Sequence, residues 1–600
     1  MTQVSISAVM AEPTEWLGVL PPVSRMDRPI SVLGLIGCPQ SHDAAAALIV
    51  NNHIVAAVEE ERFQHIKHVG AYPYLAIDAC LSRAGLTMKD VDYVVYGIIP
   101  DRFKNAVLDE PLQQGEVSPS AVAARSRLIS GMQDTLPALE QHYSCNLKDH
   151  FHWVNHHLAH AASSFYASGL DEALILSVDG GGDRESAALY YGHDVQLSRI
   201  HSFLDYPESL GRFYDLVTRF VMGPPSYGVL VDAGKLMGLA AYGQIDKSMF
   251  SDIIQIDEDD VDRPVRFDMS WFSVHTGSYP FSEKWLARYG LPLTKGQNHE
   301  PRHLAMAASA QWILERAMVA MAKAARKRYP QVSKLCLSGG ITLNVCANRR
   351  IFDEAGFDEL FIAPAANDAG TALGAALLVN TLVTGNSKYD YTVYCGPDIV
   401  EEFDIEGSLR SFGGRICYQR MSFDALCDYV AERLARNEII GWAQGKMEYG
   451  PRALGNRSLL ANPASPLAKD TLNSKAKKRE HFRPYAPSIL AEECMAWFDI
   501  KESPHMLIEA SVLPECRSRV PGIVHYDGSS RPQTVTKLDN YRYYSLIERV
   551  YNKTGVPMLL NTSLNGHGET IVNSPLDAVL LLLNSEIDAM VIGDYVVVRS

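Results

Sequence analysis

The 600-residue chain has no Cys-x-x-Cys pair, no apolar run of membrane length and no excess of basic charge. Its ten cysteines, from Cys38 to Cys516, are scattered. That excludes a disulfide framework and a zinc site of paired thiolates, and fits a reducing, cytoplasmic setting. No uninterrupted apolar stretch reaches the roughly 18 residues of a membrane span, so a membrane partner is not expected. Residues 1–29 lack the charged-then-apolar order of a signal peptide. They carry four prolines and little periodicity, and are expected as an extension outside the fold. A formal net charge of -15 argues against nucleic acid as a partner, since phosphate backbones demand basic surface. A hydrophobic fraction of 47% with 21% charged residues fits a globular enzyme too long for a single core.

The first block beyond the extension reads as a strand from Ser31, a loop through His42, a strand from Ala44, a turn at Asn51-Asn52 and a returning strand from His53. A helix near Tyr74–Ala84 and a strand over Val91–Ile98 follow. The same grammar recurs from Ala173, whose strand enters the loop Asp179-Gly180-Gly181-Gly182-Asp183 and is followed by two more strands. Two three-stranded meanders, each opened by an acidic or glycine-rich loop, suggest a duplicated α/β architecture. A long helix over Ala305–Lys327 precedes a strand and the turn Gly339-Gly340. A further strand from Glu359 leads to Asn367-Asp368-Ala-Gly370. The pattern loosens near residues 384–397, which places a boundary there and gives domains 30–388 and 389–600. The second domain opens with a helix near Phe423–Arg436 and a strand over Glu438–Trp442.

His156 and His160 stand four apart after Asn155, which can cap a helix running to Gly169. Both imidazoles then share one face, a spacing used for metal binding. An isolated pair of this kind is more often two surface histidines. Asp179 and Asp368 change that weighting, because each follows a strand at the carboxyl end of the sheet, where ligands gather. Two nitrogens and two carboxylate oxygens suit an iron-type divalent ion. His157 points elsewhere and reads as structural. The loops holding Gly180 and Gly181, and Gly339, Gly340 and Asn344, can bring backbone N–H groups against phosphate, although glycine pairs after strands are common as mere turns. His42 can accept a proton from a hydroxyl, although a turn histidine is the plain alternative. Lys235 is either a phosphate contact or an exposed amine.

The C-terminal half is densest in cations. Arg452 and Arg457 lie in a glycine- and proline-rich loop, and Lys477, Arg479 and Arg483 follow among aromatics. A charge run is usually a solvated face. Here fixed backbone and interleaved apolar residues favour a folded polyanion pocket. Arg531, Asn561 and Asn565 add polar groups to it.

With these motifs in view the chain resembles the family of nodulation protein U and the cephalosporin and tobramycin carbamoyltransferases, over about residues 30–600. The motifs that carry the resemblance are Ser-His42-Asp, Glu-Glu-Glu-Arg62-Phe, His-His-Leu-Ala-His160, Lys235-Leu-Met-Gly-Leu, Gly339-Gly340 with Asn344, Asn367-Asp368-Ala-Gly, Gly-Pro-Arg452-Ala-Leu-Gly, the Lys477/Arg479/Arg483 run and Asn561-Thr-Ser. Thr342, Tyr485, Leu564 and Thr570 depart from the family pattern without removing a charged or ligating residue. The resemblance implies an N-terminal actin-like (ASKHA, TsaD-like) lobe pair and a C-terminal YrdC-like α/β domain. It further implies that carbamoyl phosphate and ATP, with Mg2+, give carbamoyl-adenylate in the C-terminal domain. The carbamoyl group then passes, beside an iron-type metal and with His42 as base, to a hydroxyl of a small acceptor. Nodulation and antibiotic relatives make natural-product biosynthesis the expected setting. A tRNA threonylcarbamoyl-adenosine factor or a non-catalytic nucleotide-binding scaffold are the competing readings, and a homodimer stays open.

Overall fold

The computed structural model describes residues 16–17, 29–115, 117–224, 233–274, 281–294 and 297–600. The chain divides into two compact α/β units, one of Met1–Glu60 with His68–Tyr391 and one of Glu61–Lys67 with Thr392–Ser600. No described helix is long and apolar enough to cross a membrane.

The first unit holds two sheets. One contains β1 (Trp16–Leu17), β2 (Ser31–Ile36), β3 (Ala45–Val50), β4 (His53–Glu59), β5 (Tyr93–Tyr96) and β6 (Phe151–Val154) in the order β1-β6-β5-β2-β3-β4. Residues 16 and 17 thus correct the expectation that the whole of 1–29 lies outside the fold, because their backbones pair with Val154 and Trp153. The remainder of 1–28 lies outside the described residues. The second sheet contains β7 (Glu172–Val178), β8 (Glu185–His193) and β9 (Gln196–Asp205). After the small hairpin β10 (Ile254–Ile256) and β11 (Val265–Phe267), the chain adds β12 (Lys334–Ser338) and β13 (Glu359–Ile362), giving the order β13-β12-β7-β8-β9.

Setting β1 aside, the two sheets share one topology. The first strand of each is central, antiparallel to the meander on one side and parallel to the later strands on the other. Each repeat ends in a helix, His156–Ser168 in the first and Ala369–Thr384 in the second. These two helices pack together, and the second also lies against β2. Small residues make this approach feasible. A Cβ on Gly374 would fall 1.8 Å from the Ala159 carbonyl oxygen, and one on Gly34 would fall 1.9 Å from that of Ala372. Four positions are brought together by this symmetry: the loops after β2 and β7, and the starts of the two terminal helices.

The second unit begins with β14 (Tyr394–Asp398), β15 (Ile416–Arg420), β16 (Ile440–Ala443), β17 (Lys446–Glu448), β18 (Arg457–Ala461) and β19 (Ala486–Leu490). It continues with β20 (Ala510–Ser511), β21 (Ser529–Ser530), β22 (Gln533–Val535), β23 (Met558–Ser563), β24 (Ala589–Ile592) and β25 (Tyr595–Arg599). Eight of these form a mixed sheet, β15-β25-β24-β16-β18-β23-β19-β22. Strand alternation separates its two apolar layers. Leu460 and Leu559 join the layer of helices Phe423–Ala435 and Tyr541–Thr554, whereas Leu459 and Leu560 join the layer of helix Pro575–Asn584. The segment Glu61–Lys67 belongs here through a buried bond from the Arg62 guanidinium to the Gly450 carbonyl, at 3.1 Å. Nothing in its sequence announces that, since the partner lies 388 positions away.

Candidate active site

The cluster foreseen from His156, His160, Asp179 and Asp368 assembles in the first unit. Asn155 caps the helix, its Oδ1 accepting from the Leu158 N–H at 2.9 Å, and Gly169 closes it in the left-handed conformation. Both histidines on its first turns are buried. The chain enters Asp179 directly from β7, and Asp368 stands at the N-cap of helix Ala369–Thr384 without using its carboxylate as a cap. His160 Nε2 lies 2.9 Å from an Asp179 oxygen, and His156 Nε2 lies 3.6 Å from Asp179 and 3.5 Å from Asp368.

These four donors lie within 4.8 Å of one another and could hold a metal ion. The side-chain chemistry fits one. His156 donates its Nδ1–H to the Gly97 carbonyl at 3.1 Å, so its buried Nε2, which has no hydrogen-bond partner, is the atom a metal would take in place of a proton. A second-sphere carbonyl fixing the tautomer in this way is the usual support of a metal-bound imidazole. Burial alone would lower the His156 pKa and raise those of the aspartates. The opposite charges win: His156 is held well above its ordinary value, and Asp368 well below its own by His42 and His156.

His42 joins this cluster, its Nδ1 3.7 Å from Asp368 and 3.3 Å from Asp43. Burial pulls its pKa down, but the Asp368 and Asp43 carboxylates push it up to about 9. His68 holds the other Asp43 oxygen at 2.6 Å. His157 is structural, as expected. Its two nitrogens meet Ser177 Oγ and the Glu185 carbonyl, each at 2.8 Å.

Gly180 and Gly340 border Asp179. The Gly180 N–H donates to Asp179 Oδ1 at 2.5 Å, and a Cβ on Gly340 would sit 3.2 Å from that oxygen. Gly339 takes a left-handed φ of 88° under the Val178 carbonyl, and Gly181 faces Arg212. Lys235 lies half-buried in the helix Ala233–Ala240. Asn344 requires a correction as a nucleotide contact. Its amide exchanges both bonds with Gln311 at 2.9 Å, and its oxygen also caps the helix Val345–Glu354. One residue was missed. Asp183 is fully buried and accepts the Ile99 and His156 N–H groups at 2.5 Å each, with its pKa raised to about 6 by burial. Its place at the end of the glycine run was the available signal.

In the second unit the basic residues separate by burial. Arg457 is engaged by the backbone. Its fully buried guanidinium donates to the carbonyls of Gln444, Gly445, Asn456 and Pro397 at 2.7–3.1 Å. Lys477 is buried as well. Its buried ammonium lies at 2.5–3.2 Å from oxygens of Ser563 and Asn565, and burial followed by the charges of Arg479, Lys67 and Arg483 drives its pKa well below the usual amine value. Asn565 therefore serves Lys477, while Asn561 donates within the sheet and keeps a buried Oδ1 without a partner.

Arg452, Arg479, Arg483 and Arg531 are only half-buried. Arg479 lies 4.2 Å from the Tyr485 ring centroid, and the Tyr485 hydroxyl donates to Asn473 Oδ1 at 2.7 Å. Nearby, burial and then the Arg531 and Lys469 charges outweigh Asp527 and bring His525 down to about 4. Glu448, also missed, shapes the arginine loop. Its Oε1 accepts the N–H groups of Leu454, Asn456 and Arg457 at 2.7–3.2 Å.

Two family models match the chain, carbamoyltransferase N-terminus over residues 33–377 and carbamoyltransferase C-terminus over 431–599. Nodulation protein NolNO of Sinorhizobium fredii is 34% identical over 93% of this chain and 79% of its own. The 3'-hydroxymethylcephem-O-carbamoyltransferase of Streptomyces clavuligerus is 34% identical over 61% of this chain and 64% of its own. Among solved structures, full-length HypF in its phosphate- and nucleotide-bound form aligns at a TM-score of 0.31 and 15% identity, over 60% of this chain and 56% of that one. The chain belongs to the carbamoyltransferase family and is a transferase enzyme.

Proposed function

We propose that this protein is an ATP-dependent O-carbamoyltransferase working in two half-reactions on two sites. In the first, carbamoyl phosphate and one water give carbamate and phosphate. A carbamate oxygen then displaces pyrophosphate from ATP, supplied with Mg2+, to form carbamoyl-adenylate. The half-buried guanidiniums of Arg452, Arg479, Arg483 and Arg531 hold the phosphates through charge-assisted hydrogen bonds. Lys477 and Asn565 fix the loop beside them.

In the second half-reaction His42 accepts the proton of the acceptor hydroxyl. The hydroxyl oxygen bonds to the carbamoyl carbon, and AMP departs. The observation that carries this reading is the convergence of His156, His160, Asp179 and Asp368 with His42 at 3.7 Å. Fe2+ or another divalent ion held by those four residues would offset the charge of the leaving phosphate and cancel the carboxylate field that keeps His42 protonated. Backbone N–H groups at Gly181, Gly339 and Gly340, with Lys235, are assigned to the adenylate, while the Gly180 N–H holds Asp179 Oδ1.

The matching topology of the two first-unit sheets supports an actin-like, TsaD-type lobe pair for residues 30–388, and residues 389–600 are read as the YrdC-like activating domain. The activity of the cephem relative supports a small hydroxylated acceptor in natural-product biosynthesis, and the ten free thiols support a reducing, cytoplasmic setting. Full-length protein given ATP, Mg2+ and carbamoyl phosphate without acceptor should release pyrophosphate only when all three are present. Release independent of carbamoyl phosphate would remove the adenylate step.

A further inference from the structure

Asp183 takes part in none of these steps, yet it is fully buried in the same glycine loop as the ligand candidate Asp179. That loop is a tight hairpin between β7 and β8. Asp179 donates its N–H to the Ser186 carbonyl and Gly182 donates its own to the Glu185 carbonyl, each at 2.9 Å. The hairpin runs over the start of the helix His156–Ser168. A Cβ on Gly182 would fall 3.0 Å from both Cβ and Cδ2 of His156, so any side chain there would crowd the imidazole.

The Asp183 carboxylate is divided between two backbone groups. One oxygen accepts the His156 N–H and the other accepts the Ile99 N–H, each at 2.5 Å. The first N–H groups of a helix have no partner within it. In this helix Asn155 takes that of Leu158, and Asp183 takes that of His156. Ile99 follows closely on Gly97, whose carbonyl accepts from His156 Nδ1 at 3.1 Å. A closed circuit results. It runs from the His156 ring to Gly97, along the chain to Ile99, through the Asp183 carboxylate and back to the His156 backbone. The residue is thus held by its ring N–H and by its peptide N–H together, with Nε2 left beside Asp179 and Asp368.

A carboxylate suits this position. Two backbone N–H groups need two acceptors and no donor, which is what its two oxygens supply. An amide would turn an NH2 group toward one of them, and a buried donor facing another donor is left unsatisfied. Asp179 and the His156 backbone are therefore tied through one short loop and one side chain, which fixes the separation of two of the four ligand candidates.

We propose that Asp183 is a positioning residue for the metal centre: through the His156 backbone it sets where the His156 imidazole stands as a ligand. The role rests on the four-ligand reading given above. Co2+ tests it, because nitrogen and oxygen donors of this kind bind that ion and its visible absorption reports their arrangement. Full-length protein is stripped with a chelator and loaded with Co2+ alone. Asp183→Asn and Asp183→Ala should bind Co2+ about ten- to hundred-fold more weakly, the usual effect of removing the support of a metal ligand. Their absorption band should move in the direction seen for His156→Ala. Asp183→Asn keeps one acceptor oxygen and serves where the alanine variant does not fold. Asn380→Ala loses bonds to Asn52 and Tyr389 elsewhere in the same unit. It should unfold at a lower temperature yet keep the wild-type band and affinity. A wild-type band and affinity in the Asp183 variants would overturn the role. So would weaker binding with an unmoved band, the mark of lost charge alone, or an equal loss in Asn380→Ala. Wild-type protein that takes up no Co2+ would instead remove the metal site itself, and the role with it.

Discussion

At the scale of single residues, burial decides which cations serve the fold and which serve a ligand. Arg457→Ala strips hydrogen bonds from four carbonyls, three of them buried, and orphaned buried polar groups cost about 1–3 kcal/mol each. Its urea midpoint should fall sharply with or without ligand. Arg483→Ala should instead keep its midpoint and lose about ten- to hundred-fold in affinity for ATP or carbamoyl phosphate, the worth of one charge-assisted bond; calorimetry on both variants separates the roles. In the first unit, His160→Ala should lose the bound divalent ion on elemental analysis, and full metal content in that variant would refute the four-ligand site. His42 carries a pH signature. Its folded pKa of about 9 lies above the ordinary 6.5, so in metal-stripped protein its contribution to stability is complete below about pH 6.5 and is lost as pH rises through 9. Melts across that window should decline with pH, and more shallowly in His42→Asn.

At the scale of elements, the helices His156–Ser168 and Ala369–Thr384 pack together and so set the spacing of the candidate ligands His156, His160 and Asp368. Alanine in place of Gly374 would gain about 1 kcal/mol of helix propensity. It would also drive a Cβ to 1.8 Å from the Ala159 oxygen, and overpacking of this kind costs about 1–3 kcal/mol. The clash should win, so Gly374→Ala should melt lower and hold its divalent ion more weakly; a stabilised variant would show that the helices are free to separate. Much of this layer could be read in advance. The helix after Asn155 had its cap and its terminal glycine in the sequence, the helix Tyr74–Ala84 matched its expected span, and the repeated meander foretold the shared topology. Legibility ended where the deciding partner is remote or the deciding property is depth. Arg62 meets Gly450 across most of the chain, and Arg457 and Lys477 look like surface cations until their burial is known.

At the scale of the molecule, the family match spans both units, and the proposed chemistry divides between them. The histidine and aspartate cluster lies in one unit and the half-buried arginines in the other. Changes confined to the first unit should therefore leave the activation half-reaction running, whereas loss of activation stops both. The most direct measurement is a pair of assays, acceptor-free pyrophosphate release and carbamoylated product with acceptor, on Arg452→Ala and His42→Asn. Arg452→Ala should lose both. His42→Asn should keep pyrophosphate release and lose product formation by about 10²–10⁴, the usual contribution of a general base. Loss of pyrophosphate release in a folded His42→Asn protein, as complete as in Arg452→Ala, would contradict the two-site mechanism.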